Sequence, residues 1–390
     1  MKGYLRQRPW RLLLMIIALT MLLNGHRTLA DQQSNYKSAI LMDYETGQIL
    51  YEEHAHQQVI PASLVKMMVL LLTMEKLEAG DIHLSDTVTI SAWASKIGGH
   101  QVYLAEGETF RLEEILKAVA ISSANDAATA VAEFVGGSAD AFVKRMNARA
   151  HELGMKDTRF ANVHGLPPDP GQEENYTTAY DMAVLGQALL AYPKILTWTS
   201  TLEDTFRNGT FTLTNTNRQL LLNYQGVDGL KTGFHPRGAD FCTCVTAKRQ
   251  DRRLIAVVMG VPQKEDRYRA VKDLLNLGFT QFERVIVFRK GFSVGDAISV
   301  SNGKKRTTTL VASDNAVVLV EKGKQQAIRH DVNITVQEII APASQGTRFG
   351  EATIFIGDQA AATVDLVLEE DLEKGSFVDR LKWWIVNTIS

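Results

Sequence analysis

Ser63 and Lys66 have the residue types and the spacing that nucleophilic acyl transfer requires. Such chemistry needs a nucleophile, a group that takes its proton, donors for the developing oxyanion and a group that holds the substrate. In Ser63-Leu64-Val65-Lys66 the three-residue spacing places both polar side chains on one face of a helix, about one turn apart. The amide groups and the dipole at the start of that helix favour a developing negative charge. The alternative interpretation is that Ser63 only caps the helix.

The helix that follows Lys66 bears on whether this lysine can act as a base. Residues 67–72 are apolar on every side, which predicts a helix buried inside the protein. Burial lowers the pKa of a lysine, and a second cation nearby lowers it further. We therefore expect Lys66 to act as a neutral proton acceptor at ordinary pH. A second Ser-x-x-Lys pattern, from Ser34 to Lys37, has no apolar helix after it, and we interpret it as accidental.

Two further motifs offer the remaining groups. Ser123 and Asn125 lie in a predicted turn between helices, where a hydroxyl can relay a proton and an amide can hold a substrate carbonyl. Helix capping would also explain these two residues. Lys231, Thr232 and Gly233 follow a turn-rich segment and precede two predicted strands. On a strand edge the lysine and the threonine would face a cleft, and the glycine would permit a close backbone approach, although a simple basic turn is the alternative.

The segments around these motifs predict an α+β fold. A hairpin is predicted at residues 39–51, and paired strands at 241–247 and 254–259. Strands at both ends of a mainly helical stretch indicate an antiparallel sheet covered by a helical lobe. From residue 285 to about 368, short alternating runs separated by Gly, Asn and Asp predict a small all-β domain. Helical periodicity is found at residues 61–80, 112–121, 127–135, 139–153, 181–192 and 266–277.

In this order and setting, the three motifs match the S-x-x-K, S-D-N and K-T-G signature of penicillin-binding proteins and class A β-lactamases. The sequence resembles that superfamily, and more closely its D-alanyl-D-alanine carboxypeptidases. The closer resemblance rests on residues 123–127, 163–166, 228–233 and 253–260. It implies a β-lactamase-like catalytic domain at residues 31–283, with an antiparallel sheet and a helical lobe, followed by a small all-β domain at 284–370.

The resemblance also implies a role for each motif residue. Ser63 would be the acylated nucleophile and Lys66 its general base. Ser123 would complete the proton network, and Asn125 would hold the substrate. Binding of the substrate's carboxylate side would fall to Lys231 and Thr232, next to Gly233.

Two more positions follow from the same resemblance. The backbone amides of Ser63 and Phe234 would form the oxyanion hole. Relatives often have a polar residue where this chain has Phe234, so we expect its side chain to alter the access of water or substrate. Arg267 stands where the family has an arginine that steadies the terminal carboxylate, and the alternative is an arginine solvated at a helix start.

The implied reaction is removal of the terminal D-alanine from pentapeptide stems of peptidoglycan, in cell-wall and cell-shape metabolism, with penicillins and other β-lactams as covalent inhibitors. It needs no cofactor and no metal. Three alternatives remain: a D,D-endopeptidase that cuts cross-linked stems, a β-lactamase, and a non-catalytic wall-binding scaffold. Glu173 and Glu174 are candidates for a water-positioning glutamate of a β-lactamase, but they lack the Glu-x-x-Leu-Asn context of such enzymes.

The first thirty residues predict a signal peptide. They combine a basic start, the apolar run 12–23 and the small-residue site Thr28-Leu29-Ala30. A transmembrane anchor is the alternative, but the apolar run is shorter than the roughly 20 residues that span a bilayer. We therefore expect an exported, periplasmic protein.

The last twenty residues, 371–390, predict an amphipathic helix. Phe377, Leu381, Trp384 and Ile385 share one helical face, and basic residues lie off it. This pattern is typical of an interfacial membrane anchor, which would attach the protein peripherally to the outer face of the cytoplasmic membrane. The alternative is an ordinary terminal helix docked on the β domain.

Charge and cysteine content exclude other classes. Removing residues 1–30 takes away five positive charges and no acidic ones, so the net charge moves from −2 to −7. No basic block is present, and we expect no nucleic-acid partner. Cys242 and Cys244, one residue apart on a predicted strand, are interpreted as two small core residues. His54 and His56 have no further ligands near them in sequence, which argues against a metal site.

Overall fold

The computed structural model describes residues 35–376, so the predicted signal peptide and residues 377–390 of the predicted anchor lie outside the described residues. The part that carries the motifs begins with a hairpin and ends with a long helix. Its elements are β1 (Ser38–Asp43), β2 (Ile49–Glu53), a 3-10 turn (Ala62–Val65), α1 (Lys66–Glu78), β3 (Thr87–Thr89), a 3-10 turn (Ala94–Lys96), β4 (Thr109–Arg111), α2 (Leu112–Lys117), a π-helical turn (Ala118–Ser122), α3 (Asn125–Gly136), α4 (Ala139–Glu152), α5 (Ala179–Leu190), α6 (Lys194–Thr199), β5 (Glu203–Phe206), β6 (Phe211–Thr214), α7 (Arg218–Asn223), β7 (Val227–His235), β8 (Asp240–Arg249), β9 (Arg252–Val261) and α8 (Lys264–Gln281).

A five-stranded antiparallel sheet forms the centre, in the order β2-β1-β9-β8-β7. Alternation along β9 separates two cores: Ile255, Val257 and Met259 pack toward the helical lobe, whereas the intervening residues 254, 256 and 258 pack toward α8. The predicted α+β architecture is confirmed. The strand β7 lies at one edge of this sheet, and its free edge is therefore open to a ligand.

Helix α1 is the buried centre of the lobe, as its continuous apolar sequence predicts. Residues 66–71 are all buried. The predicted start at residue 61 differs from the structure, because the first turn, Ala62–Val65, is a 3-10 turn and the α-helix begins at Lys66. The helix predicted at 112–121 also divides, since a π-helical turn follows α2 and ends at Ser123.

The second part of the chain is all-β. Its core is formed by the inward-facing residues of two sheets, β10-β13 and β14-β16-β17-β12-β11-β15. The bounds are β10 (Phe282–Phe288), β11 (Ser293–Ser301), β12 (Thr307–Ala312), β13 (Ala316–Glu321), a 3-10 turn (Gln325–Ala327), β14 (Ile328–Ile334), β15 (Glu338–Ile340), β16 (Arg348–Ile356) and β17 (Gln359–Leu368).

The end of the β domain corrects one predicted boundary. Residues 371–376, which the sequence pattern assigns to a terminal helix, are not helical. Leu372 instead forms a β-bridge with Ala343, and Lys374 forms one with Gly303. Leu372 is buried in the core of the β domain, so the amphipathic pattern that begins at Phe377 does not extend back to residue 371. No helix within residues 35–376 is long and apolar enough to cross a membrane.

Candidate active site

Ser63 lies on a strained turn at the start of the buried helix. Ala62, just before it, has a φ of 48°, in the left-handed region that a residue with a side chain rarely adopts. Gly165, with a φ of 80°, packs against this turn, because a Cβ placed on it would overlap the Ala62 carbonyl and lie 2.9 Å from Ser63 N. Such strain persists only where the surrounding structure over-determines it, and it is common at active sites.

Lys66 connects the nucleophile to two other parts of the site. Its Nζ is 3.0 Å from Ser63 Oγ, 2.7 Å from Asn125 Oδ1 and 2.7 Å from the His164 carbonyl oxygen. The two amide-type oxygens can only accept hydrogen bonds, so they take two N–H groups of the lysine. A neutral amine then has one lone pair left, and this lone pair faces the Ser63 hydroxyl.

The electrostatics favour that neutral amine. Burial holds the pKa of Lys66 well below its usual 10.5, and the Lys231 cation lowers this pKa further, although Asp126 partly opposes the shift. The side chain is 0% exposed. Burial, with a smaller contribution from the protonated form of Lys66, lowers the pKa of His164 to about 4, so its imidazole is neutral near pH 7.

The second motif lies in the turn between the π-helical turn and α3. Ser123 has a φ of 68°, a left-handed conformation that ends the π-helical turn. Its Oγ accepts a hydrogen bond of 2.6 Å from Lys231 Nζ. Asn125, the first residue of α3, is fixed in orientation because its Nδ2 donates to the Gly98 carbonyl while its Oδ1 accepts from Lys66.

The third motif occupies the edge strand β7. Lys231 is buried, and burial together with the Arg267 cation lowers its pKa to about 7. Alternation along the strand turns the Thr232 side chain away from that of Lys231, although both residues lie on the edge strand of the sheet, and Thr232 Oγ1 donates to Thr216 Oγ1 at 2.8 Å. The structure thus brings the first and second motifs together through Lys66, and the second and third through Ser123.

Position 233 needs a glycine, because the backbone of β7 lies very close to the turn that carries Ser63. A Cβ on this residue would lie 3.0 Å from the Pro61 carbonyl oxygen and 3.1 Å from Ser63 N. The strand next to Phe234 therefore runs close to the Ser63 amide, and the oxyanion hole formed by these two amides stays a prediction. The Phe234 side chain is 53% exposed, and its ring is 4.5 Å from that of Phe241.

Arg267 is buried rather than solvated, so the alternative of a solvated helix-start arginine is wrong. It is 3% exposed and lies over the rings of Phe241 and Tyr268, at 5.6 and 4.7 Å. Its Nη1 makes a long 3.5 Å bond to the Cys242 carbonyl, and within residues 35–376 its Nε has no hydrogen-bond partner. A buried guanidinium with unused donors suits an incoming carboxylate.

Several site residues escape sequence reasoning from side-chain type. The carbonyls of Gly98 and His164 accept from Asn125 and Lys66, and a backbone acceptor has no side-chain signature. Asp126 is buried and accepts hydrogen bonds from the amides of Val102 and Leu104. The available signal was its place in the segment 123–127.

The other candidates lie apart from this network. Glu173 ion pairs with Arg159, and Glu174 faces His235 at 3.8 Å. Cys242 and Cys244 are buried free thiols packed toward the helical lobe, as predicted. His56 is exposed and stacks on Tyr180. Among residues 35–376 no three His, Cys, Asp or Glu side chains are grouped to hold a metal ion.

Comparison with known proteins agrees with this geometry. The sequence profile described as D-alanyl-D-alanine carboxypeptidase matches residues 26–263, and that of the penicillin-binding protein 5 C-terminal domain matches residues 282–374. The chain is 37% identical over 365 residues to D-alanyl-D-alanine carboxypeptidase DacF of Bacillus subtilis, covering 92% of this chain and 91% of that protein.

Solved structures give the same result. Penicillin-binding protein 5 from Haemophilus influenzae is 30% identical, with a TM-score of 0.78, covering 89% of this chain and 100% of that one. Penicillin-binding protein D2 from Listeria monocytogenes, in its ampicillin-bound form, is 30% identical with a TM-score of 0.58, covering 64% of this chain and 99% of that one. The chain therefore belongs to the D-alanyl-D-alanine carboxypeptidase family, serine peptidases among the low-molecular-mass penicillin-binding proteins.

Proposed function

We propose that this protein removes the terminal D-alanine from peptidoglycan stem peptides through an acyl-enzyme on Ser63. The observation that carries the assignment is the set of three contacts of Lys66. They leave the lone pair of a neutral amine facing the Ser63 hydroxyl. Lys66 takes the hydroxyl proton as Ser63 Oγ attacks the penultimate D-alanine carbonyl.

The negative charge that develops on the carbonyl oxygen is stabilised by the amides of Ser63 and Phe234. Preorganised amides of this kind lower the barrier because they need no rearrangement during the reaction. The C–N bond then breaks, and the leaving amine takes a proton from the Ser123 hydroxyl, which is hydrogen bonded to Lys231. Lys66 then passes the proton that it took from Ser63 to Ser123, which restores both groups. In the second half, Lys66 takes a proton from water as the water attacks the ester, and it gives that proton to Ser63 Oγ when the C–O bond breaks and the shortened peptide leaves.

Substrate orientation is assigned to groups on both sides of the scissile bond. Asn125 holds the carbonyl of the acyl-donor peptide. Lys231, Thr232 and Arg267 hold the terminal carboxylate, because Lys231 and Arg267 are two buried basic side chains whose positive charge favours an anionic substrate end. A β-lactam also presents a carboxylate next to a reactive carbonyl, so the same groups accept penicillins.

A β-lactamase function is less well supported. Rapid hydrolysis of a penicillin ester would need a carboxylate that positions water at Ser63. Glu173 is paired with Arg159 and Glu174 faces His235, so neither joins the hydrogen bonds around Lys66. We therefore expect a penicillin adduct that persists.

The proposed location is the periplasm, at the outer face of the cytoplasmic membrane. Support comes from the sequence alone: the signal-peptide pattern in residues 1–30 and the amphipathic pattern in residues 377–390. Flotation with vesicles that contain anionic lipid tests the second part. The chain should float, and a chain that ends at Ser376 should stay at the bottom of the gradient.

Labelling with a fluorescent penicillin, together with release of D-alanine from diacetyl-Lys-D-Ala-D-Ala, tests the catalytic assignment. Wild type and Ser34→Ala should both be labelled and both release D-alanine, because Ser34 belongs to the accidental copy of the motif. Ser63→Ala should do neither. Labelling of Ser63→Ala at the wild-type level would show that the nucleophile is another residue, and rapid loss of label with drug hydrolysis would indicate a β-lactamase.

A further inference from the structure

His235, the last residue of β7, has a buried ring with one unused donor. The side chain is 2% exposed. Its Nδ1 accepts a 3.0 Å hydrogen bond from the Arg237 amide, so the proton of the neutral ring is on Nε2. In the part of the chain that the structure describes, Nε2 has no hydrogen-bond partner, and it faces Glu174 Oε2 at 3.8 Å. Buried donors are rarely left unpaired, so this N–H calls for an explanation.

Glu174 is held so that one of its oxygens is available to this ring. Its Oε1 accepts from the amide of Asn175 at 2.9 Å, which leaves Oε2 facing His235. The side chain is partly exposed, at 28%. Its neighbour Glu173 has another role, since it ion pairs with Arg159 and is 65% exposed.

The loop that carries Glu174 leads back to the nucleophile through short hydrogen bonds. Asn175 Oδ1 accepts from Asn162 N at 3.2 Å, and Asn162 Oδ1 accepts from Gly165 N at 2.7 Å. Gly165 packs directly on the Ser63 turn. These contacts form a continuous connection from the loop of Glu174 to the turn that carries Ser63.

The strand leads to the other half of the same oxyanion hole. His235 is two residues beyond Gly233, so both face the Ser63 side of β7. The residue between them is Phe234, whose amide is the second proposed oxyanion donor. In this contact, His235 lies on the strand that carries the Phe234 amide, and Glu174 lies on the loop that packs on Ser63.

We propose that His235 and Glu174 are a positioning pair that ties the end of β7 to the loop at residues 164–175 and so sets the separation of the two oxyanion amides. The proposal rests on the function proposed above. At 3.8 Å the contact is longer than a hydrogen bond. Hydrogen bonds that support catalysis are often long in a free enzyme and tighten in the complex. The loop needs only a small inward movement for Nε2–H to donate to Oε2.

Stopped-flow acylation of the purified protein by a fluorescent penicillin tests this pair, because it separates the dissociation constant of the first complex from the acylation rate constant at saturation. Glu174→Ala should lower the rate constant roughly 10- to 100-fold, since a misplaced oxyanion donor costs about that much. The dissociation constant and the melting temperature should remain near those of wild type. The matched control is Glu173→Ala, one residue away in the same loop, which should acylate at the wild-type rate.

Variants of His235 add a test of coupling. His235→Gln keeps an N–H donor of similar reach and should retain most of the rate, whereas His235→Ala should lose as much as Glu174→Ala. The double alanine variant should be no slower than either single variant if the two residues act as one unit. His235→Ala removes a buried ring and can fail to fold. The acylation rate of Glu174→Ala, a change at a partly exposed side chain, is therefore the deciding measurement.

The outcomes separate this proposal from the catalytic assignment. If Glu174→Ala acylates at the wild-type rate constant, or loses rate only in step with melting temperature, the positioning role is wrong while Ser63 remains the nucleophile. Equal rates for His235→Gln and His235→Ala would also overturn it. If Ser63→Ala is still labelled, the proposed function itself fails.

Discussion

Gly165→Ala should slow acylation about 100-fold while leaving most of the protein's stability, because this glycine has two separate roles. Its φ of 80° favours glycine, and its missing side chain makes room for the Ser63 turn. An alanine in the left-handed region costs roughly 1–2 kcal/mol of folding free energy. That cost alone would leave a folded protein, since domains of this kind are stable by about 5–15 kcal/mol.

The loss of activity comes from the second role. An added Cβ would overlap the Ala62 carbonyl and lie 2.9 Å from Ser63 N, closer than real Cβ contacts come. The nearest atoms are backbone atoms of Ala62 and Ser63, so the turn that carries Ser63 has to move by about 1 Å. A displacement of that size at a reacting centre costs about 100-fold in rate.

Gly154→Ala is the matched control. Gly154 has a φ of 75° and nothing within 4 Å of an added Cβ, so the backbone cost is the same and the clash is absent. Urea denaturation should show a similar loss of stability in both variants from the backbone conformation, with an additional loss in Gly165→Ala from the clash. Penicillin acylation should slow only in Gly165→Ala. Wild-type acylation in Gly165→Ala, or an equal loss in Gly154→Ala, would refute the reasoning.

Three other predictions concern the buried charged residues Lys231 and Asp126 and the exposed ring of Phe234. Burial lowers the pKa of Lys231 from 10.5 to about 7. Between pH 7 and pH 10.5 this lysine is therefore protonated in the unfolded chain and mostly deprotonated in the folded protein. The free energy of unfolding, measured by urea titration, should therefore rise from pH 7 to pH 9. In Lys231→Met the same free energy should rise less over this pH range. Asp126 raises the pKa of Lys66, so Asp126→Asn should move the acid limb of the acylation profile to lower pH. It should also cost roughly 1–3 kcal/mol in stability, because asparagine has one acceptor oxygen where Asp126 uses two, and its NH2 group would face a backbone N–H. Phe234→Ser should admit water to the ester and shorten the half-life of the penicillin label, and an unchanged half-life would contradict a shielding role.

The catalytic fold could be predicted from the sequence because its main signals are local. The continuous apolar run after Lys66 can only be satisfied by burial. The short strand-forming runs at 241–247 and 254–259, joined by a charged turn, predict the paired strands of the central sheet. Short elements could not be predicted from the sequence, because they lack such a local signal. The six-residue helices α6 and α7 and the four-residue pair β5-β6 are too short for a period to show.

The environment of the site residues could not be predicted in the same way. The segment 264–267 is charged throughout and resembles a solvated helix start, yet Arg267 is buried because Phe241 and Tyr268 cover it. The sheet and the helix that supply these rings approach only in the tertiary structure. The carbonyl partners of Lys66 and Asn125 were missed for a related reason, since every residue has a carbonyl and only the fold selects which one is used.

The arrangement of charge explains why so much of the lobe is apolar. Lys66, Lys231 and Arg267 are all buried, and burial lowers the pKa of each. Such groups destabilise a folded protein unless they are paired or neutral. Strain at Ala62 and Ser123, both with positive φ, adds to that cost. The buried apolar residues of α1 offset it, and an anionic substrate supplies the missing countercharge, so the groups that weaken the free protein are the ones that make it bind a carboxylate.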